Sequence, residues 1–180
     1  MSKKVLVIST SLRQNSNSDM LAEAFVKGAK EAGNQVVEIS LKNKTINFCK
    51  GCLACLKLGH CVIADDAIDI AKQMHDAEVI AFATPVYYYE MAGQMKTMLD
   101  RVNPLYGTDY AFEDVYLLST AAEAEEGVDS RAISGLEGWI ECFERARLAG
   151  TVFAGGVDDA GTIKGHKAIE EAYQLGKAIS

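Results

Sequence analysis

A parallel α/β sheet covered by helices on both faces is the architecture this sequence predicts, and three observations predict it. Strand-length apolar runs and helix-periodic segments alternate five times, the connections between most of them are short, and runs such as KVLVIS and EVIAFATP read as strands buried on both faces. The result is a three-layer α/β fold with a five-stranded parallel sheet.

Taken in order, Lys4–Ser9 is the first strand, and Asp19–Ala32 follows with helical spacing at Met20, Ala24, Phe25 and Ala29. Gly33 ends that helix. Gln35–Ser40 is the second strand, and a cysteine-bearing insertion at about 45–64 precedes a helix over Asp66–His75, capped by Asp65 or Asp66. The third strand, Glu78–Pro85, is expected to stop at its proline. Ala92–Val102 is helical, Asp114–Thr120 is the fourth strand, and Ser130–Leu148 reads as a long amphipathic helix with Leu136, Trp139, Ile140 and Phe143 on one face. Gly150–Ala154 and Gly165–Ile179 supply the last strand and the closing helix.

A chain of 180 residues fits one domain, 1–180, with a core large enough to need no covalent staple. No signal peptide and no span of about 18 apolar residues is found, so a soluble cytoplasmic protein is expected. A formal charge of −7 without a Lys/Arg block argues against nucleic acid or an anionic membrane as partner.

In such sheets ligands sit at the carboxyl ends of the strands, where strand order reverses. After the first strand comes STSLRQNSNSDML, a turn rich in hydroxyls and amides that leads into a helix N-terminus. Free N–H groups and the helix dipole favour an anion there, and Ser11, Ser16, Asn17 and Ser18 add donors while Arg13 adds charge. Neither G-x-G-x-x-G nor G-x-x-x-x-G-K-[ST] is present, so a mononucleotide is favoured over a dinucleotide or a triphosphate. After the third strand and Pro85, Val86, Tyr87, Tyr88 and Tyr89 offer aromatic and backbone groups to a flat heterocycle. Met91, Met95, Met98, Leu99 and Val102 form a stripe suited to a core or a subunit contact, and Lys96, Asp100 and Arg101 read as a solvated face.

Cys49, Cys52, Cys55 and Cys61, four of the five cysteines, follow C-x2-C-x2-C-x5-C. In a reducing compartment such a cluster is a metal or redox site rather than a disulfide framework. Zinc sites commonly pair two short knuckles across a longer spacer, whereas three sulfurs on one tight turn are how iron-sulfur cysteines are placed. An empty reduced loop and a strained CxxC disulfide stay open beside a [4Fe-4S] cluster. Cys142 reads as a packed thiol, and His60, His75 and His166 as ordinary helix or surface residues.

Together, STSLRQNSNS, the cysteine loop running into CVIADD, and ATPVYYY followed by MKTMLDR resemble the NADPH-dependent FMN reductase and iron-sulfur flavoprotein branch of the flavodoxin-like superfamily. That resemblance implies a flavodoxin-like sheet of order 2-1-3-4-5 binding FMN non-covalently. Ser11, Arg13, Ser16, Asn17 and Ser18 would hold the phosphate, and Pro85, Val86, Tyr87 and Tyr88 would meet the isoalloxazine. Thr120, Ala121, Ala122 and Glu123 would approach the ring from the fourth strand. Cys49, Cys52, Cys55 and Cys61 would ligate [4Fe-4S] in the iron-sulfur members. No catalytic acid or base is required, because the flavin carries the chemistry. The expected activity passes electrons from NAD(P)H or a reduced carrier to a small acceptor such as a quinone or free flavin. The alternatives are ferredoxin-linked electron transfer through FMN and [4Fe-4S], and a non-enzymatic phosphate-binding or thiol-redox sensor. A homodimer or homotetramer is expected, with the methionine stripe available as an interface.

Overall fold

The computed structural model describes residues 2–180. Its elements are β1 (Lys4–Ser9), α1 (Asn17–Glu31), β2 (Gln35–Ser40), α2 (Cys55–Leu58), α3 (Ala67–Asp76) and β3 (Val79–Tyr87). They continue with β4 (Glu90–Met91), α4 (Gly93–Arg101), a 3-10 turn (Asn103–Leu105), β5 (Asp114–Thr120), α5 (Ser130–Ile140), β6 (Arg147–Ala154) and α6 (Lys167–Lys177). The sheet runs β2-β1-β3-β5-β6 with every neighbour parallel. This is the expected 2-1-3-4-5 order, because the short β4 is an additional ribbon pairing antiparallel with β3.

Alternation along each strand divides the apolar side chains between two cores. Leu6, Ile8, Ile80, Phe82 and Leu117 pack with Met74 of α3, Met95 and Met98 of α4 and Leu136 of α5. Val5, Val7, Ala81 and Leu118 pack on the other face with Phe25 of α1 and Ala172 of α6. The α1–α6 crossing depends on glycine. A Cβ on Gly28 would collide with the Tyr173 carbonyl oxygen, and one on Gly176 with that of Phe25.

Three expectations are corrected. The helix predicted to reach Leu148 ends at Ile140, and β6 begins at Arg147 rather than Gly150. Phe143 and Trp139 join Tyr110 and Phe112 in an aromatic cluster. The Arg145 N–H donates to the Tyr110 hydroxyl at 3.0 Å, and Arg147 reaches Asp114 at 2.8 Å. Tertiary contacts thus draw the chain out of the helix and into the sheet. Secondly, β3 does not stop at Pro85 but runs to Tyr87. Pairing with β1 has already ended at Ala83, and Pro85 faces Thr120 of β5, so the missing N–H leaves no ladder bond unmade toward β1. Thirdly, of the two readings of the stripe Met91, Met95, Met98, Leu99 and Val102, core holds and subunit contact does not, because all five are buried within this chain.

Candidate functional site: a phosphate-type cradle beside a cysteine cavity

The carboxyl ends of β1, β3, β5 and β6 surround a cavity of about 370 Å³. Its wall brings together all the residues expected to hold a nucleotide: Ser11, Arg13, Ser16, Asn17 and Ser18, then Pro85, Val86, Tyr87 and Tyr88, then Thr120, Ala121, Ala122 and Glu123. Tyr89, the last of the tyrosine run, lines it as well, and Val157 and Asp158 complete it and were missed. The last two follow β6, where the same carboxyl-end rule could have found them.

The first wall is a helix start. Ser16 is the N-cap of α1 in extended conformation, and its Oγ accepts the Asp19 N–H at 3.1 Å. Ser11, Ser16, Asn17 and Ser18 are all buried although polar, an arrangement that needs partners. Asn17 has found its own. Its Nδ2 donates to the carbonyls of Val157 (3.2 Å) and Asp159 (2.9 Å), and its Oδ1 accepts the Ile163 N–H at 3.2 Å. Its side chain therefore fastens the loop after β6 to the cradle. Arg13 is exposed and donates from Nη1 to the Asp158 carbonyl at 2.6 Å. Asp19, in the first turn, is bonded by Ser9 Oγ and lies 3.3 Å from Lys42 Nζ, which offsets its charge beside an anion site. Ser11, Ser16 and Ser18 with the first-turn N–H groups make a donor set that fits a phosphate monoester.

The second wall is a hairpin. Tyr87 pairs with Glu90, and the two-residue turn between them, Tyr88–Tyr89, has φ of 51° and 67°. Two consecutive non-glycine residues in the left-handed region carry strain that Asn-Gly would relieve. Tyr88 is 98% exposed, and Arg131 lies over the Tyr89 ring at 5.7 Å. Thr84 Oγ1 accepts the Ala92 N–H at 3.1 Å, and Gln94 Nε2 donates to the Thr10 carbonyl at 2.8 Å, tying this hairpin and α4 to the end of β1. The third wall is held by the Val157 N–H donating to the Ala121 carbonyl at 2.9 Å and the Gly156 N–H to that of Glu123 at 3.1 Å.

A second cavity, of about 420 Å³, is lined by Cys49, Cys52, Cys55 and Cys61 together with Cys142, Trp139 and Phe143. The four loop thiols are all free, Cys49 and Cys52 exposed and Cys55 and Cys61 partly buried. Gly59 closes α2 in the left-handed conformation, φ 72°, and turns the chain toward Cys61. Asn103 Nδ2 donates to Cys55 Sγ at 3.2 Å. Four soft sulfur donors on one cavity fit an iron-sulfur group in kind and number. Among the described residues, however, no three His, Cys, Asp or Glu side chains are drawn together at metal-binding distance.

Arg101, expected on a solvated face, is 1% exposed and lies behind this cavity. Lys96 and Asp100 do remain on the surface as an exposed pair. The Arg101 guanidinium and the Asp65 carboxylate form a two-pronged pair at 2.7 and 2.8 Å, with side chains 0% and 2% exposed. Burial would push the Asp65 carboxyl up, but Arg101, the Asn47 backbone and side-chain amides and the Ala67 N–H outweigh it and hold it well below the usual carboxylate range. Burial opposes the charge of Arg101 as well, yet Asp65, and after it Cys61, hold the guanidinium above its ordinary value.

An open parallel sheet in this order, with a phosphate-type cradle at its switch point, is a flavodoxin-like fold. Residues 3–132 match the NADPH-dependent FMN reductase family, and the chain belongs to it. It is 34% identical over 101 residues to an iron-sulfur flavoprotein from Archaeoglobus fulgidus, an alignment covering 56% of this chain and 46% of that one. The chain thus spans about half the length of that curated relative. The fold matches a NAD(P)H:quinone oxidoreductase from Methanothermobacter marburgensis with a TM-score of 0.75 at 18% identity, over 100% of both chains. It also matches an archaeal flavodoxin with a TM-score of 0.60 at 16% identity, over 97% of this chain and 94% of that one.

Proposed function

We propose that the protein is an FMN-dependent oxidoreductase that passes electrons from NAD(P)H or a reduced carrier to a small acceptor such as a quinone or free flavin. The observation that carries this reading is the 370 Å³ cavity in which the cradle and the tyrosine hairpin face one another. FMN, when bound, supplies hydride and single-electron transfer. Ser11, Ser16, Ser18 and the N-terminus of α1 hold its phosphate dianion, Arg13 adds charge at the rim, and Asn17 keeps the opposing loop closed. Pro85, Val86, Tyr87 and Tyr88 orient the ring and limit water on one side, and Thr120, Ala121, Ala122 and Glu123 bound it on the other. No residue of the cavity is required to donate or accept a proton. Anaerobic purification followed by FMN titration tests the proposal: one flavin per chain, bleached by NADH or NADPH and recoloured by a quinone, is the expected result. A chain that neither carries nor takes up FMN sinks it, and flavin that no pyridine nucleotide or reduced ferredoxin reduces points to a sensor.

A second reading is favoured by the four thiols on one cavity and by the iron-sulfur relative. In it Cys49, Cys52, Cys55 and Cys61 hold a [4Fe-4S] cluster, and ferredoxin is the donor. We further propose a homodimer or homotetramer in the cytoplasm. With the methionine stripe buried, the exposed Phe48, Leu53 and Leu56 around the cysteine loop are the apolar surface for it. Among the described residues no helix is long and apolar enough to cross a membrane. A gel-filtration species of only 19.5 kDa would contradict the assembly.

A further inference from the structure

The cysteine loop is anchored at both ends by one buried side chain. Arg101 Nη1 donates to the Asn47 carbonyl at 2.6 Å, two residues before Cys49, and Nη2 donates to the Ile63 carbonyl at 3.1 Å, two residues after Cys61. The same two nitrogens grip Asp65, and Asp65 in turn accepts the Asn47 N–H at 2.9 Å and the Ala67 N–H at 3.1 Å. A guanidinium has five N–H groups. Four are engaged in this clamp, and the fifth, on Nε, is buried without a partner. Of the two cysteines next to the clamped carbonyls, Cys49 is exposed and Cys61 partly buried, so Cys61 is the one on the side of the buried guanidinium.

A protonated thiol is a weak acceptor, whereas a sulfur bound to a metal as thiolate accepts N–H donors well. The unmet Nε–H, on a side chain clamped two residues from Cys61, is a donor of the kind that such a sulfur takes. We propose that Arg101 is the positioning residue of the cysteine cavity, clamping both ends of the loop to α4 and donating its free Nε–H to the Cys61 sulfur when that sulfur serves as a ligand. This rests on the iron-sulfur reading for the identity of the group, and on the clamp geometry for the role of the residue. Cys61 becomes the fixed corner, and Cys49 and Cys52 on the exposed stretch close onto it.

The test uses the full chain, prepared anaerobically, unsubstituted and as R101K and the R101Q/D65N double variant. The double variant replaces the ion pair with two amides, so no charge is left buried alone. Each is treated with ferrous iron and sulfide and measured for FMN per chain, iron per chain and potential of the iron-sulfur centre. Apo samples receive Co(II), whose sulfur-to-cobalt absorption counts bound thiolates. The expected result is unchanged FMN in all three, with iron retention at least twofold lower, a more negative potential and fewer cobalt-bound thiolates in both variants, since N–H donors to sulfur raise such potentials. A variant that binds FMN and matches the unsubstituted chain in potential and thiolate count overturns the proposal. Cobalt bound by four thiolates in the unsubstituted chain and fewer in R101K, without iron uptake by either, sinks the iron-sulfur reading and keeps Arg101 in its role. An unsubstituted chain that holds neither metal on its thiolates overturns both.

Discussion

Replacing Tyr88–Tyr89 with Asn-Gly is expected to stabilise the protein without cofactor and to weaken FMN binding. Both tyrosines sit in the left-handed region, at φ 51° and 67°. For an L-residue with a side chain that costs about 1–2 kcal/mol, so two of them store about 2–4 kcal/mol. Tyr88 is 98% exposed and has almost no packing to lose. Removing Tyr89 forfeits its contact with Arg131, about 0.5–1 kcal/mol, and some partly buried ring surface. The net gain is about 1–2 kcal/mol, a rise in Tm of about 2–8 °C for a chain of this size. In the loaded protein the missing rings remove stacking of about 0.5–1.5 kcal/mol, which weakens FMN about twofold to tenfold. Thermal unfolding of the FMN-free variant and fluorescence titration with FMN read the two effects separately. A Tm that stays or falls while the FMN affinity is unchanged would refute the reasoning, for it would mean that the turn is unstrained and faces no ligand.

Asp65→Asn leaves the Arg101 charge buried and unpaired, which costs about 3–5 kcal/mol and lowers Tm by about 6–20 °C. Because the folded carboxyl titrates below its unfolded value of about 3.9, its stabilisation is complete above that pH and is lost as pH falls through it toward the folded pKa. Urea midpoints measured from pH 7 to pH 3 should therefore fall more steeply in the unsubstituted chain than in the variant. Gly28→Ala forces a methyl against the Tyr173 carbonyl of α6 and is expected to cost about 1–3 kcal/mol, read as a lower urea midpoint at unchanged slope. Asn17→Ala removes four hydrogen bonds to residues 157–163, so amide exchange there should rise and FMN affinity should fall; a change in affinity alone would mean that Asn17 contacts the phosphate directly.

The sheet was legible because its strands are short runs of Val, Ile, Leu, Ala and Phe that only double-sided burial explains, and their order follows the flavodoxin resemblance. The cradle was legible because Ser16 and its neighbours combine N-cap chemistry with a place after the first strand. Local pattern failed where tertiary contacts decide. Phe143 continues the helical apolar face of Leu136 and Ile140, and nothing nearby announces that Tyr110 and Asp114 will capture residues 143–147. Pro85 reads as a stop until it is known that the pairing of β1 with β3 ends at Ser9 and Ala83. Arg101 lies next to the solvated Asp100, and the carbonyls and carboxylate that bury it are 36 to 54 positions away.

The Asn17 fastening places a condition on how this molecule can be cut or recombined. The stretch bearing the family signature ends at residue 132, yet the side chain at the heart of its anion corner bonds to carbonyls at Val157 and Asp159 and to the amide of Ile163. Helix α1, which carries that corner, is also seated on α6 through Gly28 and Gly176. The signature region is consequently not a portable cassette. Grafted elsewhere it would keep its motif and lose the brace that shapes it, whereas changes at 157–163 offer a means of adjusting how firmly the cofactor is kept while every motif residue stays intact.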